Sequence, residues 1–209
     1  MGSDGDNLQS SIAHIVLCAV AGRGISRMTS ATYTHPGMHA NFFIHGVIGF
    51  FHYQSGILGD DLRVAYFISL KAVRYLALPC LNADLRRSDT VVSAVHVLTG
   101  LIPFALAVFD TDNVPLGNVC LALNILSLCH YSHTMNREFG WYTAGAACLA
   151  YFVVPQTGQR FLYPLALALM EYFAYRVWHS HYDPPPFFPV LGGRGGGGGG
   201  GAIKKGPAK

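Results

Sequence analysis

The stretch VVSAVHVLTGLIPFALAVF, residues 91–109, decides the fold, because it contains no Asp, Glu, Lys or Arg. An α-helix needs about 20 mainly apolar residues to cross the hydrocarbon core of a bilayer, which is roughly 30 Å thick. Residues 91–109 meet that requirement. We therefore predict that this segment is a transmembrane helix.

Similar segments recur along most of the chain, separated by short polar breaks. Four further stretches are strongly apolar: Ala40–Leu58, Val119–Met135, Trp141–Val154 and Phe161–Trp178. Val64–Leu81 is long enough to span but contains Lys71 and Arg74, and Leu8–Ala21 is short and begins among polar residues. We predict an all-α, polytopic membrane bundle of six or seven transmembrane helices, the number depending on whether residues 8–21 span.

Composition agrees with this fold class. Hydrophobic residues make up 51% of the chain and charged residues only 12%, whereas a soluble domain has roughly 25% charged residues. So few charges exclude a soluble globular domain, and such apolarity excludes disorder for most of the length. The chain divides into a short acidic N-terminal segment (1–7), the bundle (8–181) and a flexible Pro/Gly-rich tail (182–209).

The net charge of +3 does not indicate nucleic-acid binding, which needs Lys and Arg clustered on one surface. The basic residues lie instead one or two to a loop. The expected partner is the lipid bilayer, with a membrane-protein partner or a homo-oligomer left open.

The distribution of basic residues predicts the topology, because cytoplasmic loops of membrane proteins are enriched in Lys and Arg. With seven spans and an outside N-terminus, the outer loops hold only Arg63 and Arg160. The cytoplasmic segments hold Arg23, Arg27, Arg86, Arg87, Arg137, Arg194, Lys204, Lys205 and Lys209. The C-terminus is therefore predicted to be cytoplasmic, with six spans or seven. The sequence does not indicate the organelle.

Three ionisable residues fall at costly depths within predicted spans. Lys71 and Arg74 lie in Val64–Leu81, and Glu171 lies in Phe161–Trp178. At 1.5 Å per residue, Arg74 and Glu171 each lie about 15 Å below the outer ends of their spans. Intramembrane charges usually face protein or water and are paired, so we predict a polar cluster of Lys71, Arg74 and Glu171. It would bind a ligand or fix the helix register, unless Val64–Leu81 lies in the membrane interface.

Ten histidines are many for a chain with so few charges. His130 and His133 are three residues apart on one helix face and could share a metal ion with His96 or His179. Zinc in a lipid hydrolase and haem between helices are the two cofactor hypotheses. Interhelical hydrogen bonding explains the same histidines without a cofactor, and we predict none.

Three functions from different classes remain open. The first is a small carrier that moves an ion or polar solute through the cluster of Lys71, Arg74 and Glu171. The second is a non-catalytic membrane scaffold or assembly factor. The third is a membrane-embedded, metal-dependent lipid enzyme or haem protein that uses the histidines. The short loops leave no room for a soluble catalytic domain, so any activity must lie among the helices.

Overall fold

A computed structural model describes residues 4–27, 34, 37–58 and 62–179, with side chains described for 8–27, 34, 37–54 and 62–178. Within these ranges every element is helical and there is no strand. The predicted all-α fold is therefore confirmed. The tail at 182–209 and the side chain of His179 lie outside the described residues.

The helices follow one another with short connections. Their bounds are α1 Asp4–Arg27, α2 Gly37–Leu58, α3 Arg63–Tyr75, α4 Ala77–Leu85, α5 Thr90–Val108, α6 Val114–Thr134, α7 Glu138–Cys148 and α8 Leu162–His179. A π-helical turn, Leu149–Val153, and a 3-10 turn, Val154–Thr157, continue α7. Because α4 directly continues α3, the described chain forms seven helical rods.

The rods run alternately up and down. His14 in the first half of α1 contacts Tyr53 near the end of α2, with 5.4 Å between ring centroids. The connection between α5 and α6 and the one between α7 and α8 lie at this same end, which we call end A. Gly24 near the end of α1 packs on His39 near the start of α2 at the opposite end, end B.

Proline explains the break between α3 and α4. Pro79 has no N–H to donate to the carbonyl oxygen of Tyr75, four residues earlier, and a proline inside a helix bends it there. Helix α5 approaches at this point, where a Cβ on Gly100 would lie 2.6 Å from the Tyr75 carbonyl oxygen. Gly100 is therefore required for α5 to pack against the bend.

Polar residues begin α5 and α6 by capping them. Asp89 precedes α5 and accepts hydrogen bonds from the backbone N–H groups of Val91 and Val92, both at 3.1 Å. Asn113 does the same for α6 through Leu116 N–H, at 3.0 Å. Side chains that satisfy the first N–H groups of a helix fix where it starts.

Among the described residues, four helices are long and apolar enough to cross a membrane: Leu8–Arg27, Arg63–Leu85, Thr90–Val108 and Val114–Thr134. The first is longer than the predicted segment Leu8–Ala21, and the second includes Lys71 and Arg74. These four helices fit an integral membrane protein. The total of six or seven spans, and the cytoplasmic C-terminus, stay predictions.

The outer surface of α5 and α6 is apolar. Large side chains exposed there recur every three or four residues, which places them along one helix face. They are Val91, Val95, Leu98, Leu101 and Ile102 on α5, and Val119, Leu123 and Leu126 on α6. Water-soluble proteins rarely expose apolar patches of this extent, whereas lipid chains solvate them.

Candidate functional site

A cavity of about 600 Å³ opens at end A of the bundle. Residues from the end of α2, from α3, from the start of α6 and α8 and from the connections beside them form its wall. They are His52, Tyr53, Tyr66, Leu70, Lys71, Arg74, Tyr75, Asp112, Val114, Val154, Pro155, Gly158, Gln159, Arg160 and Tyr163. Its volume lies within the range of small-molecule sites, about 300–1,000 Å³.

Lys71 and Asp112 form an ion pair in the cavity wall. The two side chains are 18% and 22% exposed. Tyr75 donates a hydrogen bond to the other carboxylate oxygen of Asp112, at 3.3 Å. The pair therefore joins α3 to the connection between α5 and α6 and keeps the Lys71 ammonium group at the cavity.

Arg74 lies one turn further along α3, and its guanidinium is held by uncharged groups. It donates to Asn118 Oδ1 on α6 at 2.8 Å and to the carbonyl oxygen of Tyr151 at 3.4 Å. Tyr151 in turn donates its hydroxyl to the carbonyl oxygen of Val73, at 2.9 Å. Because these partners carry no charge, the positive charge of Arg74 is oriented but not neutralised by them.

The cavity therefore carries an excess of positive charge. Lys71, Arg74 and the exposed Arg160 contribute three cations, against the single carboxylate of Asp112. Tyrosine rings and aliphatic side chains make up much of the remaining wall. Cationic groups fixed in a mainly apolar cavity bind an anion that has an apolar body, because the wall dehydrates the ligand and strengthens the charge interaction.

A column of aromatic and histidine rings leads from the cavity wall into the bundle. His52 stacks on Tyr66 with 4.4 Å between ring centroids, and Tyr66 contacts His45 at 5.3 Å. His45 contacts His14 at 5.3 Å. His45 also lies 2.9 Å from the hydroxyl of Ser69, through Nδ1. These contacts account for the position of His45 and His52 on one face of α2.

A second polar group lies deeper in the bundle. Glu171 on α8 is fully buried and forms a hydrogen-bonded ion pair with His39 on α2, which is 3% exposed. The other carboxylate oxygen of Glu171 has no hydrogen-bond partner among the described residues. A Cβ on Gly24 of α1 would lie 2.5 Å from both Glu171 Oε1 and His39 Nδ1. Helices α1, α2 and α8 thus enclose this pair so closely that a Cβ at position 24 would overlap it.

The structure brings together two of the three residues of the predicted cluster. Lys71 and Arg74 both line the cavity, but Glu171 contacts His39 instead of Arg74. The reason is helix packing, since α8 packs mainly on α1 and α7 rather than on α3. Two separate ion pairs, Lys71–Asp112 and Glu171–His39, therefore take the place of the single cluster that the sequence predicts.

Of the predicted histidine ligands, the structure describes the side chains of His96, His130 and His133, and these do not form a metal site. Both ring nitrogens of His96 have partners, since Nδ1 lies 2.9 Å from Asn124 Oδ1 and Nε2 lies 3.1 Å from Ser127 Oγ. His130 and His133 are exposed on α6. Within the part of the chain whose side chains are described, no three His, Cys, Asp or Glu residues come close enough to hold a metal. Binding of zinc or haem by these histidines stays a hypothesis from the sequence.

Two important residues of these sites were not identified from the sequence. The sequence places Asp112 only in the polar break Asp110–Gly117, and His39 lies just before the predicted segment Ala40–Leu58. Asp112 had a usable signal, because the topology places the 110–117 break on the same side of the membrane as the nearer end of the Lys71 helix. His39 had none, since its role depends on how three helices pack.

No family model, curated protein or solved structure matches the chain. The sites above therefore rest on the geometry and chemistry of this chain alone.

Proposed function

We propose that the protein is a small membrane carrier for organic anions. The observation that supports this most strongly is the cavity at end A, where three cations and one carboxylate line a mainly apolar space. The expected ligand has one carboxylate or phosphate group and an apolar body that fits within about 600 Å³.

Arg74 is the principal anion-binding residue in this proposal. Its guanidinium is fixed by Asn118 and by the Tyr151 carbonyl, and a planar guanidinium binds carboxylate and phosphate oxygens through paired N–H donors. Lys71 adds a second donor, because a ligand anion can share its ammonium group with Asp112. Arg160, exposed at the rim, attracts anions towards the opening.

Closure at the opposite side favours a carrier over an open channel. Below the cavity the bundle is filled by fully buried apolar residues, among them Leu17 of α1 and Leu167 and Met170 of α8. The enclosed Glu171–His39 pair lies beyond them. A ligand bound at end A can reach end B only if helices move, which is how carriers alternate access.

Ligand binding to the full-length protein in lipid nanodiscs tests this proposal. Benzoate and inorganic phosphate are the probes, measured by isothermal titration calorimetry. Arg74→Gln removes a charge-assisted hydrogen bond of about 1.5–3 kcal/mol, so benzoate affinity should fall roughly 10-fold to 150-fold. Arg74→Lys should restore part of it, and Arg87→Gln at end B is the matched control.

Uptake of labelled benzoate into vesicles containing the protein then separates a carrier from a binding protein. Saturable uptake that is lost in Arg74→Gln and kept in Arg87→Gln supports a carrier. Binding without uptake contradicts it. If neither benzoate nor phosphate binds, the cavity is not an anion site, and the scaffold hypothesis becomes the stronger one.

A further inference from the structure

We infer that the Glu171–His39 pair is a proton-binding site, and that its occupancy is coupled to anion binding in the cavity so that proton and anion move together. The coupling step rests on the proposed carrier function. The proton site itself rests on the geometry of the pair, and the two parts are tested separately below.

The first argument concerns the size of the occupant. Glu171 is fully buried and one of its carboxylate oxygens has no partner among the described residues, and a buried polar atom of this kind calls for a functional explanation. Helix α1 closes the other side of the pair, where even a Cβ on Gly24 would lie 2.5 Å from Glu171 Oε1 and His39 Nδ1. Among the described residues no third His, Cys, Asp or Glu joins the pair to complete a metal site, so a proton is the occupant that fits.

The second argument concerns charge. A neutral His39 that donates Nδ1–H to an ionised Glu171 leaves one net negative charge in the bundle. Binding one proton at the carboxyl group of Glu171, whose Oε2 has no partner among the described residues, makes the pair neutral. A buried net charge is costly in a bilayer, so closing the bundle around this pair favours the proton-loaded state.

The neighbouring charged groups lie at the margins of the pair. From α1, Arg23 lies 4.9 Å from the ring of Tyr175, one turn beyond Glu171 on α8, and Arg27 ends α1. From α4, Asp84 lies near the start of α2, 3.1 Å from a Cβ built on Gly37.

The remaining element packed against this part of α8 is α7. It presents aromatic rings: Tyr142 contacts Phe173 at 5.4 Å, and Phe139 lies under the guanidinium of Arg176 at 4.7 Å. Direct contact with the Glu171 carboxylate therefore comes from His39, and the arginines and Asp84 set the surrounding potential.

Two rigid helices connect the proton site with the cavity. Helix α8 carries Tyr163 in the cavity wall and Glu171 eight residues later, about 12 Å along the axis. Helix α2 carries His39 and, towards its other end, His52 and Tyr53 of the cavity. A movement of α2 and α8 that opens the pair to water must also change the cavity.

Coupling of this kind is reciprocal: if the proton strengthens anion binding, the anion strengthens proton binding by the same factor. We expect the wild-type protein to take up a proton when benzoate binds. Benzoate affinity should therefore rise as the pH falls from about 8.5 to 5.5, a range in which the carboxylate ligand stays ionised. In the pH range where the free protein leaves the pair unprotonated, benzoate affinity should rise by up to tenfold for each unit that the pH falls.

Calorimetry of benzoate binding in nanodiscs tests the coupling, with proton uptake measured by comparing buffers of different ionisation enthalpy. Glu171→Gln mimics the protonated carboxyl group, so its affinity should be independent of pH and equal to that of the wild type at low pH. Glu138→Gln, an exposed carboxylate of α7, should keep the wild-type dependence. A Glu171→Gln protein that retains both proton uptake and pH dependence overturns the coupling and assigns it to another group such as His52.

Infrared titration without any anion tests the proton site alone. We expect a carboxylic acid C=O band in the wild type that titrates with pH and is missing in Glu171→Gln. Identical spectra of the two proteins would overturn the proton site. If the band is present but the wild type binds neither benzoate nor phosphate, the carrier function and the coupling fail while the proton site stands.

Discussion

Lys71 on α3 forms its ion pair with Asp112, a residue of the short connection between α5 and α6. The contact joins a charge within a candidate membrane span to a charge at the end of the bundle. Lys71 also lies 5.1 Å from the centre of the Phe67 ring, one turn back on the same helix. The ammonium group is therefore held at the cavity by one ionic and one aromatic contact.

Removing either partner of this pair should destabilise the protein. Lys71→Gln and Asp112→Asn each leave the other charge partly buried without its partner, and each should cost about 1.5–3 kcal/mol. Because both single variants lose the same contact, the double variant should cost less than their sum. Unfolding in detergent micelles measures all three, and costs that simply add would show that the pair is not formed.

Gly24→Ala should force α1 away from the Glu171–His39 pair. The new Cβ would lie 2.5 Å from atoms of both side chains, and overpacking of this kind costs about 1–3 kcal/mol. Gly145→Ala on α7 is the matched control, since nothing lies within 4 Å of its new Cβ. It should be neutral or stabilising by up to about 1 kcal/mol. Equal unfolding midpoints for the two variants would refute the close approach of α1.

Asn124 should be important for stability but not for anion binding. It accepts from Asn82 Nδ2 at 3.1 Å, contacts His96 Nδ1 at 2.9 Å and donates to Thr99 at 2.9 Å. Asn124→Ala removes the partner of His96 Nδ1 and one of the two acceptors of Asn82 Nδ2, which keeps the Asn124 carbonyl oxygen. The loss should cost about 1–3 kcal/mol for a buried polar group left unsatisfied.

The matched control for Asn124→Ala is Thr134→Ala. Thr134 is exposed, and its hydroxyl donates to carbonyl oxygens of its own helix, those of His130 and Tyr131. It should unfold like the wild type. Benzoate affinity should be unchanged in Asn124→Ala, because this network belongs to the part of the bundle near end B. A loss of affinity in that variant would contradict the separation of the two regions.

Cysteine labelling should place the two ends of the bundle on opposite sides of the membrane. In a variant without the native cysteines, Thr111→Cys and Gln156→Cys at end A should react with a membrane-impermeant maleimide on intact cells or organelles. Ser88→Cys and Glu138→Cys at end B should react only after permeabilisation. All four positions are exposed. Helix α5 lies between Ser88 and Thr111. Labelling of Thr111→Cys and Ser88→Cys from the same side would therefore contradict a membrane span formed by α5.

Much of the fold could be predicted because it depends on local sequence. Long apolar runs specify helices, and polar breaks such as Asp110–Gly117 specify connections, without any knowledge of neighbours. Helix ends were less accurate: α6 begins at Val114, five residues before the predicted Val119, because Asn113 caps it. The first helix extends to Arg27 instead of Ala21, because polar residues continue it past its apolar part.

The site was only half predictable, for a geometric reason. The depth of a residue in the membrane follows from its position along a helix, so Lys71, Arg74 and Glu171 were all placed at costly depths. The partner of each residue depends on the order and rotation of the helices, which the sequence does not state. Their equal depth in the membrane indicates Arg74 as a partner for Glu171. The packing of α8 on α1 and α2 instead makes His39 the partner of Glu171.

Pro155 lies in the 3-10 turn Val154–Thr157, which follows α7 and its π-helical turn. Its ring nitrogen has no hydrogen to donate to the carbonyl oxygen of Tyr151, four residues earlier, and the guanidinium of Arg74 lies 3.4 Å from that oxygen. The absence of an N–H group on Pro155 thereby leaves the Tyr151 carbonyl oxygen to accept from Arg74 of α3 and to orient its guanidinium. Any change in the winding of the π-helical and 3-10 turns between Leu149 and Thr157 alters this bond. The electrostatic potential that an arriving ligand meets is thus set by the shape of a neighbouring backbone.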